Sequence, residues 1–501
     1  MQVDKPLPGL RQNVSASPYP FGPRSLAEVL DTGLTEYPER LALIDRDRTW
    51  TWRELDAAVS LTANALGPGR TVSWNVGNSA EAVIGALATF RTGGVWVGHC
   101  SDAERMRLEQ WLGPITTFDA IEDAIEEVGI TDASLNNDAQ QNPVVDPHRL
   151  AAITFTSGTS GRPKSVAHSQ HSLLGPGLVS IEVEPPQRHE RIGTPLSLGI
   201  ANILVLGPIS ALVRGSTTVI MSRTWAEGFA DDAETNAVTR TFVVPTMLHD
   251  LVASNTVSPD RLATLDRVIV GGSGAAPELL REFHDRFGVR PTLSYGLSEA
   301  PTGVVRESLD DPIGSGRGFP LPHLTVETRS DTGEICLRPT AVGPWAGSWT
   351  GTLGYLGEPE RTAALFDGDC LLTGDLGTID ADGALSVTGR TSSLIIRGGK
   401  NIDPTEIEAR LCTLDGISDA LCVGVDDERL GERVACLIVP SSETSEVTGL
   451  GDAEPATALA EATGSPIDLV AIVEALPRNA MGKLDRGAGL ARFTGSDTHR
   501  L

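Results

Sequence analysis

The feature that most constrains the fold of this chain is a repeated alternation of short β-branched runs with longer helical stretches. Residues 71–76 and 94–97 are rich in residues that favour strands, and residues 79–91 between them carry a helical pattern. The alternation continues through four further strand-like runs, at residues 217–221, 241–244, 267–270 and 292–295. Because alternating strands and helices pack as a mainly parallel sheet with helices on both faces, we predict a doubly wound α/β architecture.

The C-terminal part of the chain follows a different pattern. From residue 333 onward, short strands and turns predict a small β-rich subdomain. After Arg390, three small polar residues precede a tail with strands and a helix of its own. We therefore predict a large N-terminal domain of several subdomains at residues 1–391 and a small α+β domain at residues 392–501.

The charge balance excludes two classes of partner. The chain has 501 residues, with 40 Lys and Arg against 66 Asp and Glu, which gives a formal net charge of −26. Nucleic-acid and anionic-membrane binders need a basic footprint, so neither partner is expected. Residues 192–213 carry no charge and are long enough to span a bilayer, but their prolines and glycines favour a buried turn and helix instead.

The six cysteines are scattered, and no two of them form a C-x-x-C pair. This pattern predicts a reduced, cytoplasmic chain with neither a disulfide framework nor a structural zinc site. Residues 1–20 lack the apolar core and the basic start of a signal peptide, which is consistent with that prediction.

A turn rich in hydroxyls and glycines is the first motif that carries chemistry. It follows an apolar strand and consists of Thr156, Ser157, Gly158, Thr159, Ser160 and Gly161, with Lys164 three residues on. Glycines let backbone N–H groups face a phosphate, hydroxyls donate to its oxygens, and the lysine supplies charge. It is not a Walker loop, because Pro163 stands where that pattern needs glycine. The alternative is an ordinary surface turn.

Two further motifs follow predicted strands. A glycine loop at residues 272–274 precedes a helix predicted for residues 277–287, and its alternative is close strand–helix packing. Residues 294–299 then place an aromatic face, hydroxyls and the carboxylate of Glu299 close together. These groups are suited to stack a base, contact a phosphate and hold Mg²⁺, although a capped loop with a core tyrosine is the alternative.

The last two motifs are weak when each is taken alone. Asp375 follows a strand and is suited to accept hydrogen bonds from ribose, while Arg390 can reach a phosphate. A simple Asp–Arg surface pair is the alternative. Lys483 follows a glycine in a loop near the end of the chain, where it is either a mobile charge for a transferring group or an exposed lysine.

Together and in this order, the motifs resemble those of the adenylate-forming superfamily, which contains acyl-CoA ligases, adenylation domains of peptide synthetases and luciferases. Four markers carry the resemblance, at residues 156–164, 295–299, 373–375 and 477–483. Residues 389–408 resemble the interdomain signature of the family. The resemblance extends from Leu26 to Arg486 and is strongest to a stand-alone acyl-CoA ligase.

The resemblance implies an activity and its cosubstrates. Members of the family join a carboxylate to the α-phosphate of ATP, release pyrophosphate, and pass the acyl group to a thiol. Since the first step brings two anions together, charge neutralisation has to dominate its catalysis. The implied small molecules are a carboxylic acid, ATP, Mg²⁺ and coenzyme A, or the phosphopantetheine of an acyl carrier protein in place of coenzyme A.

The resemblance also implies roles for single residues. Lys483 and Ser298 would be catalytic: Lys483 bridges the carboxylate and the α-phosphate, which Ser298 contacts. Glu299 would hold the metal, Tyr295 would stack on adenine, and Asp375 would bind ribose. The implied contacts to ATP or AMP are Thr156, Ser157, Gly158, Thr159, Ser160, Gly161, Lys164, Gly272, Ser273, Gly274, Ser294, Tyr295, Gly296, Ser298, Asp375, Arg390 and Lys483.

The chain departs from the family pattern in three places. Ser392 stands at the hinge about which the small domain rotates between half-reactions, where Asp or Lys is usual, although a small residue can still absorb a dihedral change. Leu198 stands where many acyl-CoA ligases have histidine. Residues 463–468 lack the usual Tyr-x-x-Pro type of pattern.

The resemblance places the acyl pocket at Leu198, Gly199, Asn202 and Gly271. Nothing between Arg191 and Arg214 is charged, so an α-ammonium group would lack a carboxylate partner there. We therefore expect an uncharged acyl or aryl carboxylic acid. Asn202 is interpreted as a satisfied core amide, with a polar contact to the substrate as the alternative.

The acceptor is predicted less directly than the activation step. Coenzyme A needs basic groups for its phosphates, and Arg397, Arg429 and Arg433 are available, although they are equally typical of an ordinary surface. The first alternative is a stand-alone enzyme that loads a separate carrier protein. An alternative of another class is an inactive nucleotide-binding scaffold, against which the retained Glu299 and Lys483 argue.

Overall fold

A computed structural model provides the structure of the chain. It describes residues 6–12, 14–75, 77–121, 145–156, 163–221, 223–398, 400–441, 455–478 and 484–494, without the side chains of residues 201, 302, 392 and 401. The chain forms two compact units. Unit 1 comprises Met1–Glu327, Cys336–Thr373 and Ala381–Leu385, and unit 2 comprises Thr328–Ile335, Gly374–Asp380 and Ser386–Leu501. The functional boundary after residue 391 stays a prediction.

One sheet of unit 1 has six strands in the order β17-β7-β6-β4-β3-β5. Its strands are β3 (Thr71–Trp74), β4 (Val95–Val97), β5 (Thr116–Phe118), β6 (Leu150–Thr156), β7 (Lys164–Ser169) and β17 (Gly354–Tyr355). Strands β3 to β6 pair in parallel, whereas β7 pairs antiparallel with β6 and with β17. The β6–β7 hairpin therefore carries the hydroxyl–glycine turn between two paired strands.

A second, larger sheet of unit 1 contains the order β14-β13-β12-β11-β10-β8-β9-β1-β2. Its strands are β1 (Leu41–Asp45), β2 (Arg48–Thr51), β8 (Arg191–Thr194), β9 (Thr217–Ile220), β10 (Arg240–Val243), β11 (Arg267–Val270), β12 (Pro291–Leu297), β13 (Ala300–Glu307) and β14 (Gly318–Pro320). The six strands from β12 to β1 in this order pair in parallel. The predicted parallel, doubly wound core is therefore present.

Helices of unit 1 connect and cover these strands. They are α1 (Asp31–Glu36), α2 (Trp52–Leu66), α3 (Ala80–Arg91), α4 (Asp102–Leu112), α5 (Gln170–Val183), α6 (Ala201–Leu204), α7 (Ser210–Val213), α8 (Ala226–Thr235), α9 (Pro245–Ala253), α10 (Pro277–Phe287) and α11 (Pro359–Ala364). A π-helical turn, Val205–Ile209, joins α6 to α7 and contains Pro208. Because proline has no N–H to donate, it favours this local widening.

Unit 2 is an α+β unit whose sheet has the order β22-β21-β24-β23, with β25 beside β24. Its elements are β21 (Ile395–Arg397), β22 (Lys400–Ile402), α12 (Pro404–Leu411), β23 (Ile417–Asp427), β24 (Gly431–Pro440), α13 (Pro455–Thr463), β25 (Leu469–Ile472) and α14 (Arg486–Thr494). Neighbouring residues Leu421 and Cys422 belong to two different buried clusters. Strand side chains alternate between faces, so this sheet is covered on both faces.

The remaining β-strands are β15 (Leu324–Thr328), β16 (Glu334–Pro339), β18 (Phe366–Asp367), β19 (Cys370–Ile379) and β20 (Leu385–Arg390). They form the β-rich region that the sequence predicts from residue 333 onward. The predicted fold class, with a large α/β part and a smaller α+β part, is confirmed.

The uncharged stretch at residues 192–213 folds as predicted into a strand, a turn and helical segments that are largely buried. Within the described ranges, no helix combines the length and the apolar character that crossing a bilayer requires. The expectation of a chain without disulfides is corrected, because the structure joins Cys336 to Cys370 and Cys422 to Cys436, with Cα–Cα distances of 5.7 and 4.2 Å. Cys422 lies opposite Cys436 in the β23–β24 register, a proximity that sequence spacing does not report.

Candidate functional site

The ends of the hydroxyl–glycine turn are fixed by the β6–β7 hairpin. Thr156 pairs with Lys164 across the two strands. Both side chains are half-buried. The predicted phosphate contacts Ser157, Gly158, Thr159, Ser160 and Gly161 lie outside the described residues.

A hydrogen-bonded chain links Lys164 to the predicted metal ligand Glu299 through Tyr355. The Lys164 Nζ donates to the Tyr355 Oη at 3.4 Å and lies 5.0 Å from the centre of the tyrosine ring. The Tyr355 hydroxyl in turn donates to the Glu299 Oε1 at 2.7 Å. Two motifs that are more than 130 residues apart in sequence therefore meet on one aromatic residue.

The electrostatics of Tyr355 suit it to this bridging role. Burial, and then the neighbouring Glu299 carboxylate, raises the pKa of Tyr355 far above its ordinary value. Tyr355 therefore stays protonated and remains a donor to Glu299. Within the described part of the chain, no carboxylate lies within 4.0 Å of the Lys164 Nζ. Its positive charge is thus available to a phosphate.

Tyr355 is a site residue that the sequence analysis missed. It lies on the short strand β17, which pairs with β7 and brings it beside Lys164. Only this pairing relates Tyr355 to the two motifs, and no local pattern in the sequence indicates it.

We expect Tyr355→Phe to lower kcat/KM for ATP in pyrophosphate exchange by roughly tenfold or more, because hydrogen bonds to charged groups contribute about 1.5–3 kcal/mol. The Mg²⁺ concentration that gives half the maximal rate should rise, since Glu299 loses the donor that orients it. Tyr37→Phe is the matched control, because Tyr37 packs edge-on against Trp52, away from these groups. An unchanged Mg²⁺ dependence in Tyr355→Phe would remove Tyr355 from the site.

Glu299 lies in the two-residue turn of the β12–β13 hairpin, together with Ser298. Its backbone carbonyl accepts from the Thr352 N–H at 2.7 Å, which fixes the turn. Among the described residues, no group of three or more metal-ligating side chains surrounds it. A single carboxylate fits Mg²⁺ that arrives with a nucleotide, since protein-bound Mg²⁺ commonly uses one or two carboxylates, substrate phosphates and water.

The glycine loop of the predicted adenine site follows β11. Gly271 donates its N–H to the Val243 carbonyl at 3.1 Å, and a Cβ on Gly271 would lie 3.1 Å from the Ser294 carbonyl. Gly272 has φ +87°, which favours glycine. The loop residues Gly272, Ser273 and Gly274 are exposed, and a Cβ on Gly274 would meet nothing within 4 Å. The loop therefore presents open backbone to a ligand.

The neighbouring strand β12 carries the predicted aromatic and hydroxyl groups. Ser294, Tyr295 and Gly296 are half-buried, and the Ser294 hydroxyl donates to the Val305 carbonyl at 3.3 Å. Strand β12 lies next to β11 in the parallel sheet, so the glycine loop and Tyr295 follow adjacent strands. Ligands collect beyond the carboxyl ends of such strands, which favours a ligand site here.

Unit 2 holds Asp375 and Arg390 together. The Arg390 Nε lies 2.6 Å from the Asp375 Oδ1, and the Asp375 side chain is 4% exposed against 64% for Arg390. The Gly374 N–H donates to the Glu334 Oε1 at 2.8 Å, and its carbonyl accepts from the Thr391 hydroxyl at 3.0 Å. Asp375 is thus held in a rigid setting, with its charge already partnered by Arg390.

The interdomain signature contains a close backbone approach. A Cβ on Gly389 would overlap the carboxylate of Asp403, which caps α12 by accepting from the Thr405 N–H at 2.9 Å. A larger residue at position 389 would therefore displace the Asp403 carboxylate from its capping position. The predicted hinge Ser392 lies in a short 3₁₀ turn, Thr391–Ser393, and its side chain is not described. Lys483 lies outside the described residues.

Three of the predicted acyl-pocket residues, Leu198, Gly199 and Asn202, lie in α6 or just before it, whereas Gly271 follows β11. Leu198 is buried in a hydrophobic cluster, and Gly199 lies against His99, whose Cβ would be 3.2 Å from a Cβ on Gly199. The interpretation of Asn202 as a satisfied amide is wrong, because its buried Oδ1 has no hydrogen-bond partner in the described part of the chain. An unpartnered buried amide oxygen favours the alternative, a polar contact to a ligand.

Two of the arginines considered for coenzyme A phosphates are already paired. Arg397 donates to both carboxylate oxygens of Asp468, at 2.7 and 2.8 Å, and Arg433 lies 3.2 Å from Asp427. Asp468 also accepts from the Val434 N–H. These pairs favour the structural alternative for Arg397 and Arg433.

Comparison with known proteins identifies the family. The model of the AMP-binding enzyme family matches residues 30–114 and 109–344, and the model of the AMP-binding enzyme C-terminal domain matches residues 406–483. The chain belongs to the AMP-binding enzyme family. The matched residues include Lys164, the glycine loop at residues 272–274 and Glu299, and the C-terminal match ends at Lys483.

Curated relatives of this AMP-binding enzyme are ligases. A 2-succinylbenzoate–CoA ligase of Bacillus pumilus is 30% identical over 495 residues, which cover 90% of this chain and 94% of the relative. An indoleacetate–CoA ligase of Aromatoleum aromaticum is 32% identical over 351 residues, which cover 69% of this chain and 67% of the relative. The predictions of an adenylate-forming enzyme and of an acid–CoA ligase are confirmed by these relatives.

Solved structures show the same architecture. The o-succinylbenzoate CoA synthetase of Bacillus subtilis, solved in complex with its acyl-adenylate intermediate, superposes with a TM-score of 0.74 at 25% identity. The match covers 95% of this chain and 98% of that chain. The similarity therefore extends over both units.

Proposed function

We propose that this AMP-binding enzyme activates a carboxylic acid without a cationic group, using ATP and Mg²⁺, and transfers the acyl group to coenzyme A. The hydrogen-bonded chain Lys164–Tyr355–Glu299 is the observation that carries the proposal. In it, the Lys164 ammonium and the Glu299 carboxylate lie 3.4 and 2.7 Å from the hydroxyl of Tyr355. A nucleotide triphosphate with its metal needs both charges within a short distance of each other.

In the first half-reaction, a carboxylate oxygen attacks the α-phosphorus of ATP and pyrophosphate leaves. Lys164 and the turn at residues 156–161 bind the β- and γ-phosphates, and Ser298 contacts the α-phosphate. Glu299 would hold Mg²⁺ that arrives with ATP, and the metal would supply charge neutralisation of the triphosphate. The glycine loop at residues 272–274 and Tyr295 enclose adenine. Each of these groups acts by holding charge or position, which is the main requirement of phosphoryl chemistry.

In the second half-reaction, the thiol of coenzyme A attacks the acyl carbonyl carbon and AMP leaves. We assign Asp375 and Arg390 to the binding of ribose. Its hydroxyls would donate hydrogen bonds to the Asp375 carboxylate in competition with Arg390. Lys483 bridges the carboxylate and the α-phosphate in the first step, and the small domain rotates about Ser392 before the second. A cytoplasmic location stays a prediction.

The acid class follows from the charges around the acyl pocket. An α-ammonium group needs a carboxylate partner, and residues 192–213 offer none. Asn202 instead offers an unpartnered amide oxygen. An acid with a hydrogen-bond donor near its activated end is therefore favoured over an amino acid.

We expect Asn202→Ala to raise the KM for such a donor-bearing acid by about fivefold, and to leave the KM for its donor-free analogue within about twofold, because one hydrogen bond contributes about 1 kcal/mol. The measurement is ATP–pyrophosphate exchange with the two acids. Asn236→Ala is the control, since the amide of Asn236 is already used by the Asp232 carbonyl. Equal effects on both acids would show that Asn202 serves the fold only.

Pyrophosphate exchange over a panel of carboxylic acids tests the proposal as a whole. We expect exchange with at least one acid that has no ammonium group, and formation of its acyl-CoA when coenzyme A is added. Acylation of a carrier protein in place of coenzyme A would assign the enzyme to carrier loading. Absence of exchange with every acid would favour the inactive scaffold.

A further inference from the structure

A buried cluster of charged side chains lies outside the site described above. It consists of Arg214, Arg240, Arg267 and Arg306, with Glu184 and Glu190, and is called here the arginine cluster. Four cations against two anions leave this set with a net charge of +2. Within the described part of the chain, no other carboxylate lies within 4.0 Å of these guanidinium groups.

Only part of the arginine cluster is neutralised. Arg214 donates to both oxygens of Glu190 at 2.7 Å, and that pair is complete. Glu184 is shared, because it accepts from Arg240 at 2.8 Å and from Arg267, and lies 3.6 Å from Arg306. One carboxylate is thus shared by three arginines, so the part of the cluster around Arg240 and Arg306 carries excess positive charge.

Three N–H donors of this side have no partner in the described part of the chain. They are the Nε and Nη2 of Arg240 and the Nε of Arg306. Arg240 is 2% exposed, so bulk water does not reach its donors. Burial, and then the neighbouring Arg240, lowers the pKa of Arg306 to about 10, at which it is still charged at neutral pH. Buried donors without partners are costly and rare in native proteins.

A small cavity adjoins Arg306. Its volume is about 10 Å³, the space of about one water-sized group, and it is lined by Arg306, Phe242, Gly303, Val205, Ser180 and Ser210. Arg240 precedes Phe242 by two residues on β10, so both face the same side of the sheet. The cavity lining is thus partly apolar, and its one positively charged residue among the described residues is Arg306.

The cavity adjoins elements that carry the proposed acyl pocket. Val205 follows Asn202 within one helical turn, and Gly303 follows Glu299 on β13. Phe242 precedes Val243, whose carbonyl holds Gly271. The cavity is therefore lined from elements that also carry, or directly follow, residues of the proposed acyl pocket and of the nucleotide site.

We propose that the arginine cluster forms an anion subsite that accepts one oxygen of a carboxylate, or a single monatomic anion, at Arg240 and Arg306. The carboxylate would be the distal group of a dicarboxylic acid substrate, and this assignment rests on the proposed function. The monatomic anion would be free chloride. Either ligand supplies the acceptor that the unpartnered donors lack and reduces the excess charge.

The subsite revises the expectation of an uncharged acid. That expectation rested on residues 192–213, which carry no charge. The positive charge of Arg240 and Arg306 comes from β10 and β13 instead, which the sequence analysis did not connect to the acyl pocket. The acid still lacks an ammonium group, but a distal carboxylate becomes favourable.

Matched acids test the substrate source. Two pairs of acids differ only in a distal carboxylate: adipic and hexanoic acid, and 4-(4-carboxyphenyl)butanoic and 4-phenylbutanoic acid. In pyrophosphate exchange we expect the dicarboxylic acid of each pair to have a kcat/KM about tenfold higher, which is the effect of one charge-assisted hydrogen bond. Arg306→Met should abolish the preference, so that the kcat/KM ratio of the dicarboxylic to the monocarboxylic acid falls to about one. Arg281→Met is the control, since Arg281 is 51% exposed and paired with Glu278.

A chloride titration at constant ionic strength, with gluconate as the replacement anion, tests the other source. If chloride is the ligand, the Tm of the wild-type protein rises with chloride and that of Arg306→Met does not. If Arg306→Met fails to fold, two wild-type measurements decide instead. They are the preference between the matched acids and the dependence of Tm on chloride. Exchange that proceeds with neither a distal-carboxylate preference nor a chloride effect would overturn the subsite while leaving the proposed function intact.

Discussion

Replacing Lys483 by alanine is expected to lower the rate of adenylation by about a hundredfold to a thousandfold, because one well-placed donor at a developing charge contributes about 3–4 kcal/mol. The same variant should transfer the acyl group from a supplied acyl-adenylate to coenzyme A at nearly the wild-type rate. The physical reason is that Lys483 is needed only where the carboxylate and the α-phosphate repel each other. Pyrophosphate exchange and single-turnover transfer measure the two steps separately.

Lys400→Ala is the matched control, because Lys400 is an exposed lysine of β22 in the same unit. It should leave pyrophosphate exchange unchanged. An adenylation rate in Lys483→Ala equal to that of the wild type would remove Lys483 from the mechanism. Equal losses in both half-reactions would instead indicate a structural role for Lys483.

Glu299→Gln is expected to lower kcat for pyrophosphate exchange on the order of a hundredfold and to raise the Mg²⁺ concentration needed for half the maximal rate. Glutamine keeps the size of the side chain and can still accept from the Tyr355 hydroxyl, so the local hydrogen bond is retained. Only the negative charge that binds the metal is lost. A Mg²⁺ titration of the exchange rate measures this effect.

The control for Glu299→Gln is Glu360→Gln, which removes an exposed carboxylate from α11. It should not change the Mg²⁺ dependence. If Glu299→Gln shows the Mg²⁺ dependence of the wild type, the carboxylate does not hold the metal, and Glu299 would serve only to anchor Tyr355.

Elements with strong local signals were predictable. The helix Pro277–Phe287 was predicted with these same ends, because proline suits its first turn and Gly288 adopts φ +71° just after it. The strand before the hydroxyl–glycine turn and the strand before the glycine loop were likewise visible as apolar runs followed by turns, whereas the pairing of β6 with β7 was not predicted. The family followed from the order of the motifs, since each motif is local in sequence.

Contacts between distant segments were not predictable from local patterns. Tyr355 meets Glu299 and Lys164 only because β17 pairs with β7. Asn202 was interpreted as a satisfied amide, yet whether an amide finds a partner depends on neighbours that packing brings to it. The disulfide between Cys422 and Cys436 depends on the β23–β24 register in the same way.

The sequence by itself determined the alternation of strands and helices, the family and the types of side chain available for nucleotide chemistry. These follow from propensity, periodicity and motif order, which act over a few residues. Only the tertiary structure decided which charges meet: Lys164 and Glu299 share a tyrosine, and four arginines share two glutamates. Charge pairing falls off with distance in space, and the pairing of β-strands sets that distance without regard to separation along the chain.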